Sequence, residues 1–288
     1  FPGNVIPTDR FSPIAAYYLQ FLPTGDATGR ATVGGDDITN SDQVTMRFDH
    51  YISQDQTINY TFNYFDQSGA NAFAFGGSSV PGFGSTDKST RQNHVIRHTW
   101  TLSPTLVNGF MVSYSRNDFP AVLPITTISP REIGFTGNFI INEALAGAPR
   151  ISLLDRGLVL GNTIQGPQIR VTENFQIQES LSWSKGDHRL KFGFDGTQYL
   201  QDQAFLFINQ GIFTYSGRFG GNTTGDDLAD LLIGNSPIAF QSGNSGERDY
   251  AQKYFALFAQ DAWRIRDDLT LSFGLRYEYT SPITDDRN

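Results

Sequence analysis

His94 and His98 are the first pair in the chain whose chemistry invites a metal ion. Imidazoles four residues apart share an ion when a helix brings them to one face. On an extended strand the same spacing sets them about 13 Å apart, and a solvated or interfacial histidine pair is the expectation. Gly243-Asn244-Ser245-Gly246 has the outline of a serine-nucleophile loop. It lacks the full G-x-S-x-G elbow, and no His and Asp stand in suitable context to activate the hydroxyl. Two acidic stretches, Gly34-Gly35-Asp36-Asp37 and Gly225-Asp226-Asp227, have the composition of a calcium loop. Neither carries the spaced acidic ligands and terminal Glu of an EF-hand, so turn and cap duty is expected of both. The chain has no cysteine, which removes disulfide frameworks, thiolate zinc sites and cysteine nucleophiles together. No catalytic, cofactor-binding or metal-ligating residue is therefore assigned, no enzyme is expected, and ligand-binding residues are left unassigned.

Composition turns the question toward elements that do something other than catalysis. Aromatic residues make up 14% of the 288, while charged residues are only 17% and mean hydropathy is −0.32. Phe, Tyr, Thr, Ser, Asn and Gly suit strands that are apolar on one face and polar on the other. A soluble α/β enzyme carries more charge and more Ala, Leu and Glu. The net charge of −8 argues against a nucleic-acid partner, because no basic patch balances a phosphate backbone. No stretch approaches 18 consecutive apolar residues, so any membrane passage has to be made by strands.

Residues 1–43 read as irregular with one short helix, capped by Ser12, opened by Pro13, continued through Ile14–Phe21 and stopped at Pro23. From residue 44 the period becomes two. Val44, Met46 and Phe48 alternate with Thr45, Arg47 and Asp49; after a turn near Ser53-Gln54-Asp55, Ile58, Tyr60, Phe62 and Tyr64 alternate with polar residues. The unit returns three times, over 92–118 about Ser103-Pro104, over 168–201 about Lys185-Gly186-Asp187, and over 250–281 about Arg266-Asp267-Asp268. Phe110, Val112 and Tyr114 share one face, as do Phe175, Ile177, Leu181 and Trp183, and Leu269 through Tyr279 in the last strand.

Loop lengths are as informative. Within each pair the turn takes two to four residues, whereas the connections between pairs are expected at roughly 25, 50 and 50 residues. Short and long alternate throughout, as in outer-membrane barrels with tight periplasmic turns and extended extracellular loops. The strands are long enough to cross, since a tilted strand needs about 9–11 residues. Ile212-Phe213-Thr214-Tyr215 is suited to an additional strand within a loop, and Asp226 or Asp227 to capping a helix over 228–233. Arg47, Asp49, Arg189, Lys191, Arg276 and Glu278 fall on the polar face, where they line a lumen and pair across strands. Trp183, Trp263, Tyr277 and Tyr279 lie near strand ends, suited to the aromatic girdle or to ordinary strand packing.

The hairpin Tyr254-Phe255-Ala256-Leu257-Phe258-Ala259-Gln260-Asp261-Ala262-Trp263-Arg264, followed by Leu269-Thr270-Leu271-Ser272-Phe273-Gly274-Leu275-Arg276-Tyr277-Glu278, resembles the Q-D-x-W…L-T-L-x-x-G-L-R-Y-E hairpin of TonB-dependent outer-membrane receptors. Phe1-Pro2-Gly3-Asn4-Val5-Ile6-Pro7, Ser12-Pro13-Ile14-Ala15 and Ala229-Asp230-Leu231-Leu232-Ile233-Gly234 resemble the Oar-like members, in which a carboxypeptidase-regulatory-like domain and a plug precede the barrel. The resemblance implies a barrel of 22 strands with a plug, energised through TonB for uptake of a large or scarce solute.

The fold expected is all-β: an antiparallel up-and-down transmembrane barrel segment of about eight long strands in four hairpins, spanning 44–281 and incomplete as a barrel. Both chain ends read as cuts through a longer protein. No plug and no TonB-contacting box is read in 1–288, so contact with the TonB complex is expected through that missing region. The other expected partners are outer-membrane lipid and lipopolysaccharide and an extracellular ligand, with siderophore, oligosaccharide, peptide and protein all open. A non-energised barrel, such as an adhesin or surface-assembly component, is the alternative, and a soluble β-rich carbohydrate-binding protein is a third. A curved open meander is expected; a compact sandwich with a two-sided core would contradict the reading.

Overall fold

The structure is a computed structural model that describes residues 1–288 apart from 2, 4, 137–145, 236, 243–245 and 286–288. The Ser loop at 243–246 and part of the Phe1–Pro7 motif therefore lie outside the described residues.

In chain order a short helix α1 (Pro13–Leu19) precedes β1 (Ile38–Tyr51), β2 (Gln56–Asn71), β3 (Ser85–Ser103) and β4 (Leu106–Ala121). A long connection then holds β5 (Leu123–Pro124), α2 (Pro130–Ile133), β6 (Arg150–Leu153) and β7 (Leu158–Leu160). The strands β8 (Gln168–Lys185) and β9 (His188–Phe205) follow, and a second long connection holds β10 (Ile212–Tyr215), α3 (Asp227–Ile233) and β11 (Ile238–Phe240). The chain ends on β12 (Arg248–Arg266), β13 (Leu269–Thr280) and β14 (Thr284–Asp285).

Eight long strands form one antiparallel meander in the order β1-β2-β3-β4-β8-β9-β12-β13, with β1 and β13 at its two edges. It is the open sheet the hairpin pattern predicts. Only Ala256 among the described buried apolar residues lies on these eight strands, while Phe273, Leu275 and Tyr277 are more than half exposed. In water such a sheet would leave most of its apolar side chains unburied, so it is not one layer of a sandwich.

Several strands begin or end farther out than the alternation of residue types indicates, β1, β2 and β3 most of all. β1 opens at Ile38 rather than at Val44, β2 continues to Asn71 and β3 opens at Ser85. The added residues, such as Asn40-Ser41-Asp42 and Asp66-Gln67-Ser68, are polar on both faces, yet their ladder is continuous. Residue alternation records where one face meets an apolar surrounding; backbone pairing carries on beyond it. The first long connection is accordingly shorter than expected, 72–84.

Buried core does exist, at the loop end of the sheet. There β6, β7, β10 and β11 form a second sheet in the order β11-β10-β6-β7, with β10 and β6 parallel. Tyr18, Phe83, Ile133, Ile151, Leu153, Leu160, Phe213 and Leu231 pack into one cluster that draws on α1 and all three long connections. Ser12 caps α1 by accepting the Ala15 N–H at 3.1 Å, and its own N–H donates to Leu232 O at 2.8 Å, which ties α1 to α3. The Tyr18 hydroxyl, fully buried, donates to Pro149 O at 2.5 Å. Asp226 caps α3 through the Ala229 N–H at 2.8 Å, and Gly234 ends it at φ 70°, a conformation open to Gly at little cost. The loops thus share a compact cap.

Candidate functional site

The four short turns, 52–55, 104–105, 186–187 and 267–268, all lie at one end of the sheet, and the cap lies at the other. In-register partners in a ladder share a face, so each row of side chains can be followed from edge to edge. One row runs Phe48, Tyr60, Ile96, Val112, Ile177, Gly196, Phe255, Tyr279, without a polar interruption except the tyrosine hydroxyls. The row one residue along the strands, on the opposite face, runs Arg47, Thr61, Val95, Ser113, Gln176, Thr197, Tyr254, Thr280. One face is apolar and aromatic, and the other carries charge, amide and hydroxyl groups.

The apolar face is bounded at both ends. Trp100, Trp183 and Trp263 all lie on it within four residues of a short turn. Toward the cap, one registered row holds Asp42, Asp66, Asp118, Asp202 and Asp249 on the same face. A row of carboxylates does not sit in hydrocarbon, so this row lies beyond it. The single carboxylates nearer the middle of the face, Glu173, Glu179 and Asp261, each hold a polar partner. On β8 the distance from Val171 of that row to Trp183 is about 40 Å of strand at ~3.3 Å per residue, or about 30 Å of height when strands tilt by ~40°. That is the thickness of one bilayer hydrocarbon core.

Several polar groups inside the apolar band find partners across the ladder, while His98 Nε2 and Asp261 Oδ1 are buried without one. Asn108 donates to Glu179 across β4 and β8, and the Tyr60 hydroxyl meets His94 Nδ1 at 2.8 Å. His94 also lies against Phe62, 4.8 Å between ring centroids. His94 and His98 share the apolar face and join no cluster of three ligands; among the described residues no His/Cys/Asp/Glu group of that kind is found.

On the polar face four of the six charges named from sequence form ion pairs along their own strands, where pairs across strands were expected. Arg47 pairs with Asp49 at 3.0 Å, and Arg276 reaches the Tyr254 hydroxyl on β12 at 2.8 Å and Glu278 on its own strand. Asp195 on β9 accepts from Gln176 and Gln178 of β8, both at 3.2 Å. The ring of Phe258 lies over Gly193, where any Cβ would collide with it, between Lys191 at 6.0 Å and Arg276 at 5.7 Å. A depression of about 340 Å³ opens there, lined by Arg97, Met111, Gln178, Lys191 and Asp195. Three cations, Arg97, Lys191 and Arg276, line it together with Asp195 and Glu179, so this part of the wall presents both signs of charge.

The acidic stretches have structural occupations. Asp37 accepts the Ala72 N–H at 3.0 Å. Arg156 bridges Asp226, at 2.8 Å, and the buried Asp227, which also accepts the N–H groups of Asp155 and Arg156. Arg156 holds the Asp226 carboxyl below the usual carboxylate range. Asp230 is lowered as well: burial works against its ionisation, but bonds from Thr223, Asn235 and Thr224 outweigh it. Burial pushes the Tyr215 hydroxyl up to about 12.

Sequence reasoning placed Trp183 and the lumenal charges on the correct faces. It did not find the aspartate row, Trp100 at the girdle, or the pairs Asn108–Glu179 and His188–Asp261, because each depends on register between strands far apart in sequence.

The fold and its two faces define a class, the wall of an outer-membrane β-barrel. The chain belongs to the outer membrane beta barrel domain family, which it matches over residues 1–288. It is located in the outer membrane. The outer membrane transporter YddB from Escherichia coli is similar in fold, with a TM-score of 0.52 and 11% identity, covering 90% of this chain and 30% of that one. P. aeruginosa FpvA, solved with heterologous pyoverdines, is similar at a TM-score of 0.48 and 10% identity, covering 87% of this chain and 32% of that one. The chain thus spans about a third of the length of these two proteins. No curated protein matches it.

Proposed function

We propose that this chain forms part of the wall and outer loops of a TonB-dependent, Oar-like receptor that binds and imports a large or scarce solute. The observation that carries the proposal is the pairing of a two-faced eight-stranded wall with a folded cap at its long-loop end. A passive pore needs only the wall. A cap with its own core fixes the loops in one arrangement, and such pre-organisation lowers the entropic cost of capturing a ligand. The Gln260-Asp261-Ala262-Trp263 hairpin and the fold likeness to a transporter support the energised form of this reading. Solute approaching through the cap would meet the lumenal surface around Arg97, Lys191 and Phe258. No bond is made or broken in this role; the wall binds, orients and encloses.

The test uses the full-length protein in detergent and the purified periplasmic domain of TonB. Saturable binding between them, abolished by removing the protein's N-terminal TonB-contacting segment, is expected. Absence of binding would overturn the energised reading and leave the non-energised barrel.

A further inference from the structure

We propose that the short-turn end of the apolar face carries a binding site for the headgroup of an anionic phospholipid in the periplasmic leaflet. Lys185 and His188 face one another directly across the β8–β9 turn, and Trp263 of β12 is the next residue in the same row. His188 Nδ1 lies 2.6 Å from Asp261 Oδ2, and the imidazole stacks on Trp263 at 5.3 Å between centroids with 13° between planes. The Lys185 ammonium sits over Trp183 at 4.7 Å.

Three features give this group the character of a site. Asp261 is 7% exposed, although it stands on the lipid-facing side between Leu190 and Phe273. A carboxylate retained in that setting has a task, since burying it costs several kcal/mol without a partner. Its partner is His188, whose ring it fixes, so that Nε2 is left without a partner among the described residues. His188 is 42% exposed and therefore open to the surroundings, whereas Asp261 is covered.

The position selects the ligand. At the tryptophan level the surrounding molecules are headgroups, and the short-turn end faces the periplasmic leaflet, built of glycerophospholipids. A phosphate oxygen accepts from the Lys185 ammonium and from His188 Nε2, while Nδ1 stays on Asp261. The two indoles flank the glycerol and upper acyl chains. Each cation near such a surface contributes on the order of a twofold to tenfold gain in affinity for anionic over zwitterionic lipid. Arg189, one residue from His188, faces the lumen and has no part in the site. The inference rests on the outer-membrane orientation given above.

Full-length protein stripped of lipid in dodecyl maltoside would be titrated with phosphatidylglycerol and, separately, phosphatidylcholine, with bound lipid counted by native mass spectrometry. The wild type is expected to prefer phosphatidylglycerol, and K185Q/H188Q to lose at least about tenfold of that affinity. D261N, which leaves Lys185 and His188 in place but frees the ring, is expected to lose less. R189Q removes the same charge from the lumenal side and should bind like the wild type. Equal affinity for the two lipids, or a loss in R189Q matching that in K185Q/H188Q, would overturn the proposal. Heat-modifiable gel mobility, measured on every variant, separates a failed site from a failed barrel: its absence in the wild type would instead count against the membrane orientation.

Discussion

Replacing Val112 by Arg places a charge at the middle of the proposed hydrocarbon span, and the structure sets the size of the effect. Val112 stands between Ile96 and Ile177 in the apolar row, midway along β4 between Leu106 at the tryptophan level and Asp118 in the aspartate row. Roughly 20 Å of strand lies to each side at ~3.3 Å per residue, or about 15 Å of depth at a tilt of ~40°. An Arg side chain reaches only part of that distance, so it cannot bring its guanidinium to either interface. At this depth on a barrel's lipid face the penalty is about 2–4 kcal/mol, a factor of roughly 30 to 900 in the folding equilibrium. The neighbouring substitution Ser113→Arg adds the same charge on the opposite face, between Val95 and Gln176, where water and polar groups receive it. Its cost should be within about 0.5 kcal/mol. The assay is urea-dependent folding of the full-length barrel into thin-bilayer vesicles, with the heat-modifiable band as readout. Equal effects for V112R and S113R, or a larger one for S113R, would refute the assignment of the two faces.

Removing the Tyr18 hydroxyl in Y18F leaves buried Pro149 O without its donor, which should destabilise the loop cap by about 1–3 kcal/mol and speed amide exchange in 149–153 while the strands are unaffected. Acid should open the cap before the wall. Asp226 and Asp230 both lie below the usual carboxylate range in the folded state, so their contribution is complete above the ordinary Asp value of ~3.9 and is lost as pH falls through the lowered values. Pepsin should therefore begin to cut within 216–235 as pH is lowered stepwise below ~3.9, while the strands resist; a cap as resistant as the strands across the whole series would contradict this. Gly193→Ala should cost about 1–3 kcal/mol, its Cβ meeting both the Phe258 ring and the Glu179 carbonyl oxygen. F258A relieves only the first, so the G193A/F258A pair should cost less than the sum of the single changes but more than F258A alone, as a double-mutant cycle in the same folding assay would show.

What was legible in the sequence follows from what each residue meets. Ile58, Tyr60, Phe62 and Tyr64 face lipid while the residues between them face the lumen, so the alternation of β2 is imposed by two unlike surroundings and can be read without a structure. Beyond the membrane both faces meet water and the signal stops, which is why β1 and β2 extend farther than their alternating cores. Ser12 and Asp226 announced their helices because capping is decided within four residues. The loop cap was not legible: Tyr18 finds Pro149, and β10 pairs in parallel with β6, through contacts that no local pattern encodes. The same holds for the site at Lys185, His188 and Asp261, since His188 and Asp261 become neighbours only once β9 and β12 are set in register.

The central claim, a wall with lipid on one face and a lumen on the other, is tested most directly by a cysteine scan of β4. The chain carries no cysteine of its own. Single cysteines at 110–115 of the full-length protein in native outer membranes would be probed with a water-soluble maleimide. Met111, Ser113 and Ser115 should label and Phe110, Val112 and Tyr114 should resist, in strict alternation, with the pattern reversed for a lipid-soluble maleimide. Uniform labelling from water, or alternation in the opposite phase, would contradict the account.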